Sequence, residues 1–388
     1  MKSASKVLVF ILLLCVYGCW SKVNNLVSVA TNGNNIYVLS LDNLKSETKT
    51  VSLSDLVEYC VFVQLEFNLD AYVEPWTITV TDRYIGIKQR KREPYKLFDR
   101  SGSFISNVGS FGRGPGEFSV PIWEDIIDDE NELIYLMPHI GNKIFVYSTS
   151  GQFLKEIVSP HQLRLPSMFL YDNILAVVHL PLNDEALVLQ FDVNTGEVLK
   201  KFTPPANLIL EGLSDDAIFS TRNSSDIFDI FSSKSDTLYH FDLINNQLLP
   251  FFTARYNSSE NIWKQYFMLN KDLLFTRIHC WENSGFCKKE GLVAIDLIHK
   301  TSSFVEIVND YYGNLPVPII FYELRNGYLT HSFQPEGLIE EIENRLAKSS
   351  CTENDRHILS ELLSKLDEDA NNVVFVAKLK TDIEKRLF

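Results

Sequence analysis

The chain has 388 residues, 45% of them hydrophobic, with 50 acidic against 36 basic side chains and a net charge of −14. So acidic a chain makes a poor nucleic-acid binder, because phosphate contacts are made by basic patches. The length suits one large all-β domain or two ordinary ones, and beyond the N-terminus no apolar run approaches the ~18 residues of a membrane-spanning helix.

In chain order, Lys2 and Lys6 precede VLVFILLLCVYG, an apolar run with the length of a signal-peptide core rather than of a transmembrane helix. The run ends in Val16-Tyr17-Gly18-Cys19, which resembles the lipobox of bacterial lipoproteins, with Tyr17 bulkier than the usual small residue. That resemblance implies cleavage after Gly18, diacylation of Cys19, a tether over 19–28 and a folded domain over 29–388. The mature protein would then sit on a membrane of the bacterial cell envelope, outer membrane included, facing the periplasm or the surface. An ordinary secretory signal with an incidental Cys19 is the alternative. Loss of residues 1–18 removes two lysines and no acid, moving the charge from −14 to −16.

The chain then repeats itself. KLFDRSGSFI (96–105), IFVYSTSGQFL (144–154), LQFDVNTGEVL (189–199), YHFDLINNQLL (239–249) and, more weakly, VAIDLIHKTSSF (293–304) each read as strand, polar turn, strand. The turns recur about every 45–55 residues, the period of a four-stranded propeller blade. An open ring leaves exposed edges, so NNIYVLSLDN (34–43) and NNVVFVAKLK (371–380) are expected to share the closing blade. The expectation is an all-β chain, a six-bladed β-propeller.

Residues 335–367 break the β pattern. Ile339, Ile342 and Leu346, then Ile358, Leu359, Leu362, Leu363 and Leu366, recur at helical spacing, and Thr352 with Asp355 forms a capping-box pattern. The segment reads as a helical hairpin inserted in the last blade.

The stretch GSFGRGPGEF (109–118) raises the question of a phosphate loop. A P-loop needs Lys and then Ser or Thr after its last glycine, whereas Gly116 is followed by Glu117 and Phe118. A dinucleotide fingerprint needs a following helix, whereas Pro121 and alternating apolar residues announce strands. The motif Gly112, Arg113, Gly114, Pro115, Gly116, Glu117 and Phe118 therefore reads as a blade-to-blade connection. Phe118 would plug the space between blades, and Arg113 and Glu117 would pair with each other or with backbone. Residues 107–157 are similar to NHL-type propeller repeats, and GRGPGEF after KLFDRSGSFI resembles six-bladed propeller lipoproteins of gut-type Bacteroidetes. The resemblance implies a propeller of NHL/TolB type. Met137-Pro138 stands where those repeats usually carry an Asp.

Candidate chemistry is sparse. Cys280 and Cys287 flank a predicted hairpin, as a disulfide or as two free thiols. A zinc site with His279 lacks ligands at familiar spacings. No G-x-S-x-G occurs. His139, His179, His240, His279 and His331 fall in different blades, and Asp128-Asp129 and Asp215-Asp216 read as solvated turns. KQRKRE (88–93), the one basic cluster, reads as a hairpin tip that could meet an anionic glycan or a lipid headgroup. Trp76, Trp123, Trp263 and Trp281 are candidates for a carbohydrate platform. The function expected is a lipid-anchored binding module for a protein, peptide or glycan, with no cofactor. The alternative is a propeller hydrolase or lyase with a metal in its central channel.

Overall fold

Apolar residues on both faces of a strand call for a neighbour on each face, and here the neighbours are other blades. In the computed structural model, which describes residues 26–31, 34–90, 92–182, 186–210, 218–221, 227–232, 235–255, 263–279, 290–319 and 324–382, six small sheets form a ring.

The described chain starts with strands β1 (Leu26–Thr31), β2 (Asn34–Ser40) and β3 (Thr48–Ser52), a single helical turn α1 (Leu53–Leu56), and β4 (Val57–Gln64). Blade 1 follows as β5 (Pro75–Val80), β6 (Tyr84–Gln89), β7 (Tyr95–Asp99) and β8 (Phe104–Val108). A two-residue pair, β9 (Ser110–Phe111) and β10 (Glu117–Phe118), leads to blade 2: β11 (Ile122–Asp128), β12 (Leu133–Pro138), β13 (Ile140–Ser148) and β14 (Phe153–Arg164). Blade 3 comprises β15 (Ser167–Tyr171), β16 (Ile174–Val178), β17 (Val188–Asp192) and β18 (Val198–Phe202). Blade 4 comprises β19 (Ile218–Thr221), β20 (Ile227–Ser232), β21 (Thr237–Asp242) and β22 (Gln247–Arg255). Blade 5 contains β23 (Trp263–Met268), β24 (Leu273–His279), β25 (Gly291–Asp296), β26 (Thr301–Asn309) and the short β27 (Leu315–Val317). Blade 6 begins with β28 (Leu324–Arg325) and β29 (Tyr328–Phe333), continues after helices α2 (Pro335–Leu346) and α3 (Glu353–Leu363), and ends with β30 (Val373–Leu379).

Six hydrophobic cores lie between the blades, one for each neighbouring pair. Alternation along one strand feeds two of them: Ile134 and Leu136 of β12 face blade 1, while Tyr135 and Met137 face blade 3. The core between blades 6 and 1 joins Val374 and Val376 to Ile78, Ile85 and Ile87, which closes the ring.

Closure uses both ends of the chain, but with a different N-terminal strand from the one expected. The strand order of blade 6 is β28-β29-β30-β4, so 373–379 is paired on its outer side by 57–64. The 34–40 strand instead runs parallel to β22, with Tyr37 opposite Phe252, and β1 pairs outside it. Next, β3 runs parallel to β26. Residues 26–64 thus form a belt along the outer edges of blades 4, 5 and 6. Leu39 and Leu41 are buried in the core between blades 4 and 5, which fixes the belt by apolar packing as well as by backbone pairing.

The helical hairpin is inserted between β29 and β30. Its apolar stripe, Leu338, Ile342, Leu359 and Leu362, enters the core between blades 5 and 6. Thr352 caps α3, accepting from the Asp355 N–H while the Asp355 carboxylate accepts from the Thr352 N–H. Arg345 then bonds both the Gly313 carbonyl and Asp355, joining the two helices to blade 5.

Candidate ligand-binding site

The first residue of each inner strand pairs with the last residue of the second strand: Pro75 with Gln89 in blade 1, and Ile122 with Pro138 in blade 2. One face of the disc therefore carries the blade-to-blade connectors together with the second turn of each blade. On this entry face both inner strands carry the same irregularity. Pairing steps from Pro75–Gln89 to Thr77–Lys88, and from Ile122–Pro138 to Glu124–Met137. Trp76 and Trp123 are the extra residues of two equivalent β-bulges, a device that re-aims a side chain.

The two indoles meet edge-to-face, with centroids 5.0 Å apart and planes at 78°. They line an open pocket of about 580 Å³ with Arg90, Pro121 and His139. Trp76 is 39% exposed, at the open end of a strand that is buried from Ile78 onward, so part of its ring faces solvent. Arg90 is fixed at its base: its backbone N–H donates to the Glu74 carbonyl and its Nε to the Pro75 carbonyl at 2.9 Å. Among the described residues nothing accepts from its two terminal nitrogens. Phe67, Leu69 and Tyr72 are exposed on the connector into blade 1, on the same face. Trp263 is the first residue of β23, the inner strand of blade 5.

Beneath the pocket lies a buried charge cluster. Lys88 Nζ donates to the Trp123 carbonyl (2.7 Å) and pairs with Asp125 (2.9 Å). Arg325, from β28 of blade 6, reaches Asp125 (2.8 Å), Glu124 (3.3 Å) and the Thr79 hydroxyl (2.9 Å). The Tyr95 hydroxyl donates to the other Asp125 oxygen at 2.9 Å. Two cations offset two carboxylates, as a buried cluster requires. Burial alone would raise the Asp125 carboxyl; Lys88 and Arg325 outweigh it and hold it at about 2. The cluster clamps the strand carrying Trp123 to blades 1 and 6. Lys88 is thus a buried structural cation, whereas KQRKRE as a whole reads in the sequence as a hairpin tip.

The glycine motif lies on the same face. The connector 109–121 runs from blade 1 to blade 2, and Phe118 is buried against Phe111 and Phe145. The Glu117 carboxylate accepts from the Gly114 N–H at 2.7 Å and does not pair with Arg113, which is exposed. The Tyr147 hydroxyl donates to the Gly116 carbonyl at 2.6 Å. Gly116 has φ +72°, and a Cβ there would lie 2.5 Å from the Phe153 ring, so only glycine fits.

The other sequence candidates are dispersed. His179 is buried with its Nδ1 against the Leu180 carbonyl, His240 pairs with Asp229, and His331 meets Phe333 edge-on. Asp129 accepts from Thr81 and from the Arg83 backbone, a tie between blades 1 and 2 rather than a solvated turn. Among the described residues no three His, Cys, Asp or Glu side chains are grouped to hold a metal ion. Cys19, Cys280, Cys287, Trp281 and Asp215-Asp216 lie outside the described residues, as do the side chains of His279 and Trp263. The Trp76–Trp123 pairing was not readable beforehand. The only signal was the position of each Trp one or two residues after a proline at a blade entry, EPW and PIW.

Ring, closure and pocket together define a six-bladed β-propeller with an aromatic site at one mouth. The chain belongs to the family described as a domain of unknown function, DUF4934, whose model matches residues 36–378. A search of curated proteins finds no match. Among solved structures it is similar to a candidate exported protein from Bacteroides fragilis, at 13% identity and TM-score 0.57, over 86% of this chain and all of that one. It is also similar to a DUF4221 family member from Bacteroides vulgatus, at 11% identity and TM-score 0.45, over 84% of this chain and 98% of that one. A third is the extracellular domain of a candidate one-component system from Bacteroides thetaiotaomicron, at 14% identity and TM-score 0.40, over 63% of this chain and 29% of that one.

Proposed function

We propose that the protein is an extracytoplasmic binding module, held to a bacterial envelope membrane through lipid on Cys19 after removal of residues 1–18. Its GRGPGEF connector belongs to an NHL-type repeat, and its entry-face pocket takes up a glycan, peptide or protein segment. The observation that carries this reading is the pair of bulged tryptophans, since two equivalent bulges on adjacent inner strands aim both indoles at one pocket rather than into the blades. Exposed aromatic area beside hydrogen-bond donors is the usual composition of a recognition site, and its rigidity here follows from the charge cluster beneath. The similar candidate exported protein from Bacteroides fragilis fits an address outside the cytoplasm.

The test is binding of the purified domain to glycan and peptide arrays, compared with the Trp76→Ala/Trp123→Ala double variant. Retention at least tenfold lower in the variant, with unchanged circular dichroism, is expected; equal retention rejects the pocket as the site. For the anchor, Cys19→Ala should move the protein from the membrane to the soluble fraction. Unchanged fractionation and no lipid by mass spectrometry would reject that part.

A further inference from the structure

We infer that the Trp76–Trp123 pocket is selective for an acidic saccharide, a pyranose ring bearing a carboxylate, which deepens the binding reading above and rests on it. The lining consists of two indoles, one proline, one guanidinium and one imidazole. Among the described residues it contains no carboxylate and no aliphatic side chain besides Pro121, so it offers little to an apolar peptide side chain. It offers stacking surface and N–H donors, the complement of a ring with one apolar face and oxygen substituents.

The orientation of the indoles narrows the choice. At 78° they cannot sandwich a planar base between parallel faces; they present one exposed face with an edge beside it. A saccharide stacks through one face and leaves its rim for hydrogen bonds.

Charge decides the rest. The protein carries −14 overall, yet Arg90 and Arg92 are both exposed at the pocket side of blade 1, in the one basic cluster of the sequence. Arg90 is tied to the Pro75 carbonyl, one residue from Trp76, so its position relative to the stacking face is set by the backbone. Its free terminal nitrogens form the fork that suits a carboxylate. A cation maintained against so acidic a background, with no carboxylate partner among the described residues, is matched by a carboxylate on the ligand.

The experiment is titration of intrinsic tryptophan fluorescence of the mature chain with tri-galacturonate, with neutral galactotriose, with AMP and with a short acidic peptide. Tri-galacturonate should bind at least tenfold more tightly than galactotriose. In Arg90→Gln that gap should close, through a loss of tri-galacturonate affinity much larger than any change for galactotriose and with an unchanged circular dichroism spectrum, while Arg90→Lys should keep part of it. Equal affinity of the wild type for the acidic and neutral trisaccharides, or a gap unaltered in Arg90→Gln, overturns acid selectivity and leaves the pocket itself standing. Tighter binding of AMP or the peptide overturns the saccharide assignment. No response to any probe overturns it as well, and the array comparison with the Trp76/Trp123 variant then decides separately whether the pocket binds at all.

Discussion

Blades 1 to 3 and blades 4 to 6 share a fold but differ at the rim. In blades 1 to 3 the fourth, outermost strand is the blade's own, β8, β14 or β18, with no described strand beyond it; in blades 4 and 5 the fourth strands β22 and β26 are flanked by the belt strands β2 and β3, and in blade 6 the belt strand β4 is itself the fourth strand, beside β30. The unflanked half protects its edges locally: β18 reads VLKKF and presents Lys200 and Lys201, charge placed where another chain could otherwise add a strand. The belted half is protected by sequence far away in the chain. A blade can thus be finished by its own residues or by borrowed ones, and the candidate site lies in the half that finishes itself.

The sharpest way to break this comparison is to cut the tie between the halves. Arg325 belongs to the belted side and its partners Glu124 and Asp125 to the other. Arg325→Ala should cost about 3–5 kcal/mol, because it leaves carboxylates buried with too little positive charge; urea unfolding measures it. Next, Leu39→Ala in the belt should cost about 2–5 kcal/mol, and hydrogen exchange should rise first in blades 4 and 5. In the unbelted half, Gly116→Ala should cost at least ~2 kcal/mol through its positive φ and the Phe153 contact, seen as a lower thermal midpoint.

A smaller effect is set by pH. Burial holds the His179 imidazole down at about 4, against ~6.5 in an unfolded chain. Between those values the unfolded state takes up a proton that the folded state refuses, so stability falls as pH falls through that window. His179→Gln should remove up to ~1.4 kcal/mol per pH unit of that slope. The Asp125 carboxylate acts lower: its contribution is complete above 3.8 and is lost as pH falls through about 2. Smallest of all, Leu199→Ala on the unflanked, half-exposed edge of blade 3 should stay within ~0.5 kcal/mol. A cost near that of Leu39→Ala would show that β18 is covered in solution.

Much of this was legible in advance. Hairpin repeats at a blade-length period, Glu117-Phe118 in place of Lys-Ser, and the Thr352–Asp355 cap are local patterns, and local patterns survive folding. The closing strand was not legible, because NNIYVLSLDN and VEYCVFVQ alternate equally well and only long-range packing chooses between them. The site was half legible. Indoles and arginines can be read as candidates, but a one-residue bulge leaves no mark in composition, and the burial of Lys88 beside exposed Arg90 depends on where β6 ends.

The belt also bears on how the disc would stand. Leu26, where β1 starts, lies at the outer rim of blade 4, which in a ring of six is diametrically opposite blade 1. If Cys19 carries lipid, seven Cα steps of at most ~3.6 Å separate the anchor from that rim, about 25 Å in all. The disc would then be tethered by one edge, close to the bilayer, with the tryptophan pocket beyond the central axis from the anchor, toward the opposite side of the ring.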